Sequence, residues 1–385
     1  MTRGNEKRRF CLIGPTYPYR GGISHYNTCL IRELAAGGEV RAINFTRLYP
    51  HFLFPGTTQL DESKRPFAAD STRLIDSINP FTWIRAGVNA ARFKPDLVLV
   101  QWWHPFFAPA MFTICSVLKL MRRVKVVFIC HNVLPHEKSL VDRLLASLAF
   151  SISDGFLVQS REDRDKLLGI RTRAAVVVHP HPIYDFFSTG SLSKETARAN
   201  IGSPAGPLLL FFGYIRGYKG LSYLIEAMPL IREKVPAKLL VVGEFYDDPA
   251  PYTKLVERLG LADAVRFENR YVANEEVEGF FVASDLVMLP YVSATQSGIV
   301  QIAIAVNRPV VVTDVGGLSE AVSPEKTGFV VPPRDPEALA RAVIRFFEEG
   351  WAGRMAPRFE DERKRFSWKA MAEAIDDLAR LIEKR

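Results

Sequence analysis

The strongest constraint on this chain is a repeated grammar. Short runs of Val, Ile, Leu and Phe, too brief for core helices, alternate with segments of helical spacing. In the first half the runs are FCLIG (10–14), VRAINF (40–45), DLVLVQW (96–102), KVVFICH (125–131), GFLVQS (155–160) and AAVVVHP (174–180). In the second half they are PLLLFFG (207–213), AKLLVVG (237–243), AVRFEN (264–269), DLVMLP (285–290), PVVVTD (309–314) and GFVVPP (328–333). Apolar runs without alternation, bounded by Gly and Pro, predict parallel strands buried on both faces. Parallel strands need crossover connections, and the helical segments supply them. The expected fold class is therefore α/β, with two Rossmann-like doubly wound parallel-sheet domains.

The length of 385 residues exceeds what one hydrophobic core fills, which agrees with two domains. The join is expected between Tyr184 and Pro207, a polar stretch without a strand pattern. This gives a first domain over 1–190, a second over 191–366 and a last helix over 367–385. The charged stretch GRMAPRFEDERKR (353–365) is expected to link that helix to the rest.

No run approaches the roughly 18 apolar residues of a membrane span. The start, MTRGNEKRRF, passes directly into a strand-like run, so a secretory signal is not expected. Cys11, Cys29, Cys115 and Cys130 lack metal-ligand spacing and are expected to be buried reduced thiols, as in a cytoplasmic protein. Charge is uneven. Residues 1–185 hold 25 Lys and Arg against 15 Asp and Glu, a net of +10, while the remainder holds 25 against 27. A basic first half suits an anionic partner.

Ligands of open parallel sheets bind at the carboxyl ends of the strands, so the motifs that matter follow strands. Near the start, Gly14, Gly21 and Gly22 sit between a strand and a helix, where backbone amides can meet an anion or where the glycines merely make a turn. In FFGYIRGYKG, a strand ends at Gly213, Arg216 and Lys219 follow three apart, and Gly220 opens a helix. A planar guanidinium and a compact ammonium beside a helix start suit a diphosphate. In ATQSGIVQIAIA, Thr295, Gln296 and Ser297 can cap a helix, leaving the N–H groups of Gly298 and Ile299 for a ligand phosphate. No metal site is expected: Asp247-Asp248 reads as a solvated turn, and His179 with His181 as packing.

Taken in order, FFGYIRGYKGLSYLIEA, KLLVVGE, VRFENRYV, VASDLVMLP, ATQSGIVQIAIAVNRPVVVTDVGGLSEAV and TGFVVPPRDPEALARAV resemble the donor half of a GT-B glycosyltransferase, most like glycosyltransferase family 4. GPTYPYRGGISHY and VVFICHNVLPHE carry a weaker resemblance in the first half. The resemblance implies two domains facing a cleft, with the final helix packing back on the first. It implies transfer of a sugar from a nucleotide-sugar donor, UDP-, GDP- or ADP-linked, usually with retention and without metal or other cofactor. Arg216 and Lys219 would stabilise the departing diphosphate. Tyr271 and Val272 correspond to the segment that cradles the base. His131 corresponds to a histidine near the acceptor or the transferred sugar, with His104, His136 and Glu137 as rivals on the acceptor side. The sequence departs from the family at two places. Tyr214 stands where Arg often follows the glycine, and the paired Glu are replaced by Ala294 and Ile302. Gln296 or Gln301 could substitute as a neutral partner for the donor ribose.

The implied acceptor is a glycan or a lipid-linked molecule, with no nucleic acid, in a cell-envelope polysaccharide setting. Residues 105–123, PFFAPAMFTICSVLKLMRR, read either as a buried helix or as a surface helix pressing on an anionic leaflet, which would make the protein peripheral on the inner face of the membrane. Competing functions are a catalytically silent nucleotide-sugar binding protein and a sugar-nucleotide epimerase on the same fold. An epimerase needs acid/base carboxylates, which the motifs do not clearly provide.

Overall fold

A computed structural model describes residues 7–50, 58–134, 139–203 and 205–384. They fall into two units, one from Met1–Glu62, Pro66–Pro180 and Trp368–Arg385, the other from Ser63–Arg65 and His181–Ser367.

The first unit is built on seven parallel strands: β1 (Arg8–Ile13), β2 (Gly38–Arg47), β3 (Thr72–Asp76), β4 (Leu97–Trp102), β5 (Lys125–Cys130), β6 (Gly155–Val158) and β7 (Val176–Val178). Their order is β3-β2-β1-β4-β5-β6-β7. The second carries six: β8 (Leu208–Phe212), β9 (Lys238–Val242), β10 (Val265–Glu268), β11 (Leu286–Leu289), β12 (Val310–Thr313) and β13 (Gly328–Val331), in the order β10-β9-β8-β11-β12-β13. Both sheets thus reverse direction beside their first strand, between β1 and β4 and between β8 and β11. Such a switch point opens a crevice at the carboxyl ends of the strands.

The central strands are apolar because helices cover both faces; all six residues of β4 are buried. β3 escapes the sequence reading. It is a short edge strand, TRLID, with one fully buried apolar residue, Ile75, and Arg73 donates to the carbonyls of Phe45 and Thr46. An edge strand covered on one side has no apolar run to announce it.

Two other expectations change. The stretch 353–365 is not a linker: Trp351–Met355 and Phe359–Arg365 are helical. Met355, Phe359 and Phe366 are buried, and Ser323 donates to the Glu362 carboxylate at 2.8 Å. Charges outnumber apolar residues there, but the few apolar ones share a face. The stretch between Tyr184 and Pro207 contains the helix Lys194–Asn200, capped by Ser193. Lys194 and Arg198 both pair with Asp285. Of the two readings of 105–123 the buried one holds: the helix Ala108–Met121 is a core helix that buries Met111, Ile114, Cys115 and Leu118, and only its end, Leu120 and Met121, is widely exposed.

The helix Trp368–Glu383 belongs to the first unit. Its buried residues Trp368, Met371, Ile375, Leu378 and Ile382 follow 3.6-residue spacing. Trp368 packs on Tyr26 with ring centroids 4.9 Å apart. A Cβ on Gly155 would come within 2.9 Å of Ile382, so the helix lies directly on β6. All four cysteines are free and buried. Among the described residues no helix is long and apolar enough to cross a membrane.

Truncating Phe366 to Ala should cost about 3–5 kcal/mol, the usual range for a buried aromatic. Denaturant unfolding measures it; an unchanged midpoint would restore the linker reading of 353–366.

Candidate functional site

In the second unit the switch point lies between β8 and β11, and the cationic loop and the glycine-tipped helix both emerge there. β8 ends at Gly213, whose φ of +104° favours glycine. A Cβ at Gly213 would lie 3.1 Å from Lys219 Nζ and 3.5 Å from Ile299 Cδ1. Gly213 is therefore the floor on which the lysine and the tip of the helix Gly298–Ala305 meet. Gly220 (φ +67°) fixes the loop from the other side, since a Cβ there would lie 2.0 Å from the Pro290 carbonyl oxygen. Val292 N–H donates to the Tyr218 carbonyl at 2.7 Å.

Lys219 is buried, and no carboxylate pairs with it among the described residues. Its ammonium faces the Tyr291 ring at 5.4 Å. Burial lowers its pKa to about 8, with Arg216 adding to the fall and Tyr218 opposing it. Arg216 is half-buried, its guanidinium over the Tyr246 ring at 4.8 Å. Tyr214 packs 4.5 Å from Tyr246 and 6.4 Å, stacked, from Tyr271. The position where the family pattern has Arg is thus filled by a ring inside an aromatic ladder that ends on Arg216. Val272 is buried in the core behind Tyr271.

At the helix tip, Ser297 accepts a hydrogen bond from Ile299 N–H at 3.3 Å. Of the two amides expected to meet a ligand, Ile299's is engaged by its own cap and Gly298's is not. Gly298 is required for packing as well: a Cβ there would lie 2.8 Å from Tyr184, whose hydroxyl is 3.2 Å from His181 Nε2. His181 therefore supports the tip through Tyr184. The two glutamines part company. Gln296 donates to the Gly317 carbonyl at 3.2 Å, tying the tip to the next glycine loop. Gln301 is fully buried, and neither of its amide atoms finds a partner among the described residues. As placed, Gln301 offers nothing to a ribose at the surface. Asp247 accepts from Gly217 N–H at 2.6 Å and Asp248 from Ala250 N–H at 2.9 Å, as expected of a turn.

The first unit has its own switch point between β1 and β4. Gly21 (φ +103°) precedes the helix Gly22–Gly37, and a Cβ on it would touch nothing within 4 Å. The turn is therefore open to a ligand. His131, at the end of β5, is held at both nitrogens. Its Nε2 is 2.7 Å from Gln101 Oε1, and its Nδ1 is 3.2 Å from Gln159 Nε2. A carbonyl on one side and an amide donor on the other fit a neutral ring with the proton on Nε2. The Tyr26 ring stands edge-on at 4.6 Å. His104 is exposed and caps the turn Pro105–Phe107 by accepting from Phe106 N–H at 3.1 Å. His136 and Glu137 lie outside the described residues. Among the described residues no group of three His, Cys, Asp or Glu is placed to hold a metal ion.

Sequence reading missed Tyr184, Tyr246, Tyr291, Gln101 and Gln159. Its only available signal was position, since Tyr246, Tyr291 and Gln101 lie at or just beyond the carboxyl ends of strands.

The two sheets and their switch points define the class. Sucrose-phosphate synthase from Thermosynechococcus elongatus superposes with a TM-score of 0.74, at 20% identity, covering 98% of this chain and 100% of that one. HepE from Anabaena in complex with UDP gives 0.73 at 17%, with the same coverage. The chain has the GT-B fold. Within it, residues 206–349 match the family model for glycosyl transferases group 1. D-inositol 3-phosphate glycosyltransferase of Streptomyces avermitilis is 30% identical over 241 residues, 59% of this chain and 51% of that relative. An uncharacterized glycosyltransferase of Methanocaldococcus jannaschii is 32% identical over 169 residues, 43% of this chain and 42% of the other. The chain spans about half the length of the curated relatives it matches.

Lys219 gives a signed pH prediction. Its folded pKa of about 8 lies below the ordinary 10.5, so the folded state disfavours the charged form. Below about pH 8 that penalty is fully present; stability should rise as pH climbs from about 8 towards 10.5. Lys219→Met should therefore stabilise the ligand-free protein at pH 7 by on the order of 1–3 kcal/mol and flatten that rise. Melting curves at pH 7 and 9.5 test both; a destabilised Met variant would contradict the uncompensated charge.

Proposed function

We propose that this chain is a glycosyltransferase that takes a nucleotide-sugar donor in its second unit and passes the sugar, with retention and without a bound metal, to a glycan or lipid-linked acceptor. The observation that carries the reading is Lys219: a buried ammonium with no carboxylate partner among the described residues, over the Gly213 floor, beside the tip of the Gly298–Ala305 helix. A charge held in that state is stabilised by an incoming anion, and a diphosphate reaches both the ammonium and the Gly298 amide. Arg216, half a turn of loop away, supplies the second cation. As the glycosidic bond to the diphosphate breaks, negative charge grows on the leaving oxygen, and two cations already in place lower that barrier. Solved structures of the same fold with UDP, and with UDP-glucose, support a nucleotide-sugar donor. Tyr271 and the backbone at Val272 would border the base. His131, oriented by Gln101 and Gln159, would face the acceptor side as a neutral hydrogen-bonding group. The proposed setting is cytoplasmic assembly of a cell-envelope glycan.

One observation favours a second reading. The paired carboxylates are absent and Gln301 is buried, which suits a protein that keeps the donor without transferring it.

A melting-temperature panel of UDP, GDP, ADP and their sugars identifies the donor, because a ligand of the native state raises its stability. Lys219→Ala or Arg216→Ala should each weaken the best ligand by about 1.5–3 kcal/mol, roughly tenfold or more. Unchanged affinity rejects the assigned roles. Slow release of free sugar from the bound donor separates the enzyme from the silent binder, and affinity should fall as pH rises through the Lys219 pKa of about 8.

A further inference from the structure

β8 and β9 do not stop pairing at their last residues. Gly213 and Gly243 follow them and lie back to back: a Cβ on Gly243 (φ +142°) would come 2.2 Å from the Gly213 carbonyl oxygen. Past the two glycines the chains pair again, in parallel. Ile215 N–H donates to the Glu244 carbonyl at 2.9 Å, and Tyr246 N–H donates to the Ile215 carbonyl at 3.0 Å. Phe245 N–H donates to the Asn269 side-chain oxygen at 3.1 Å, which joins the loop after β10 to the same layer. The loop after β9 is thus registered, residue by residue, against the loop that carries Arg216.

That register puts two contacts side by side. Residues two apart in an extended segment share a face. Arg216 is extended (φ −141°, ψ 153°), and both Tyr214 and Arg216 meet the Tyr246 ring, the first at 4.5 Å and the guanidinium at 4.8 Å. On the next residue, Gly217 N–H donates to the Asp247 carboxylate at 2.6 Å. Two consecutive residues of one loop, Tyr246 and Asp247, therefore hold two consecutive residues of the other. Arg216 pairs with no carboxylate among the described residues. The difference matters chemically. A carboxylate would neutralise the guanidinium and occupy its fork, whereas a ring face steadies it and leaves both charge and donors for a ligand.

We infer that Tyr246 and Asp247 are positioning residues, which hold the Arg216 guanidinium against the terminal phosphate of a nucleoside diphosphate. They do from the loop after β9 what a residue beside Gly213 does not do here, because Tyr214 fills that place with a ring. Neither touches the nucleotide; both act through Arg216. The inference rests on the glycosyltransferase reading of the same site and adds the part that the β9 loop plays in it.

The test is calorimetric titration of the full chain with UDP, GDP and ADP and with the matching monophosphates. Tyr246→Leu should weaken the preferred diphosphate about three- to tenfold and leave the monophosphate unchanged. Tyr246→Phe keeps the ring face and should bind as the parent protein does. Asp247→Ala changes an exposed side chain and should shift the diphosphate-to-monophosphate ratio in the same direction as Tyr246→Leu. In an Arg216→Ala background neither variant should have any further effect, because the interaction is already gone. Equal loss of mono- and diphosphate affinity, a Phe variant as weak as the Leu variant, or an effect of Tyr246→Leu that persists without Arg216 would each overturn the proposal. Lys219→Ala and Arg216→Ala separate it from the donor-site reading. If those two weaken the diphosphate while Tyr246→Leu and Asp247→Ala do not, the positioning role alone fails; if those two change nothing, both fail.

Discussion

A positive charge held out of water, with no counter-charge among the described residues, organises the second unit. Lys219 is fixed there because glycine at 220 fits under the Pro290 carbonyl, and Gly213, at φ +104°, lies directly beneath the ammonium. The Tyr291 ring offers the face of its π-system, a partial compensation that leaves the amine with a lowered pKa. Every neighbouring element is arranged around that deficit. Ser297 caps the facing helix, Tyr184 braces its glycine, and the Tyr271–Tyr214–Tyr246 ladder carries Arg216. Strain of this kind persists where the surroundings over-determine it and where a ligand relieves it.

The first unit uses a different device at the corresponding end of its sheet. Here neutral amides surround the His131 ring, although Gln101 Nε2 finds no partner among the described residues. His131 sits between one amide oxygen and one amide nitrogen, at the carboxyl ends of the neighbouring strands β4, β5 and β6. With both nitrogens engaged, the imidazole is held in one orientation.

Much of this was legible beforehand, for a simple reason. Strands buried on both faces must be apolar throughout, so twelve runs announced twelve of the thirteen strands. Gly213, Arg216, Lys219 and the Ser297 tip were legible because glycine and paired cations after a strand have few other uses. What stayed hidden depends on three-dimensional neighbours. TRLID has one fully buried apolar residue and gives no periodic signal. The helices over 353–365 depend on three apolar side chains among a majority of charges. Gln301 reads as a ribose partner until its burial is seen, and Tyr214 reads as a loss of charge until the two rings around it are seen.

The helix Trp368–Glu383 has a consequence for biosynthesis. It completes the core around Tyr26 and covers Gly155, yet it follows the whole second unit in the chain. On a ribosome the second unit can close while the first still exposes the apolar strip that this helix will cover. The earlier half of the message thus finishes folding last, and a stalled or truncated nascent chain would carry a well-formed donor unit beside an open, aggregation-prone partner.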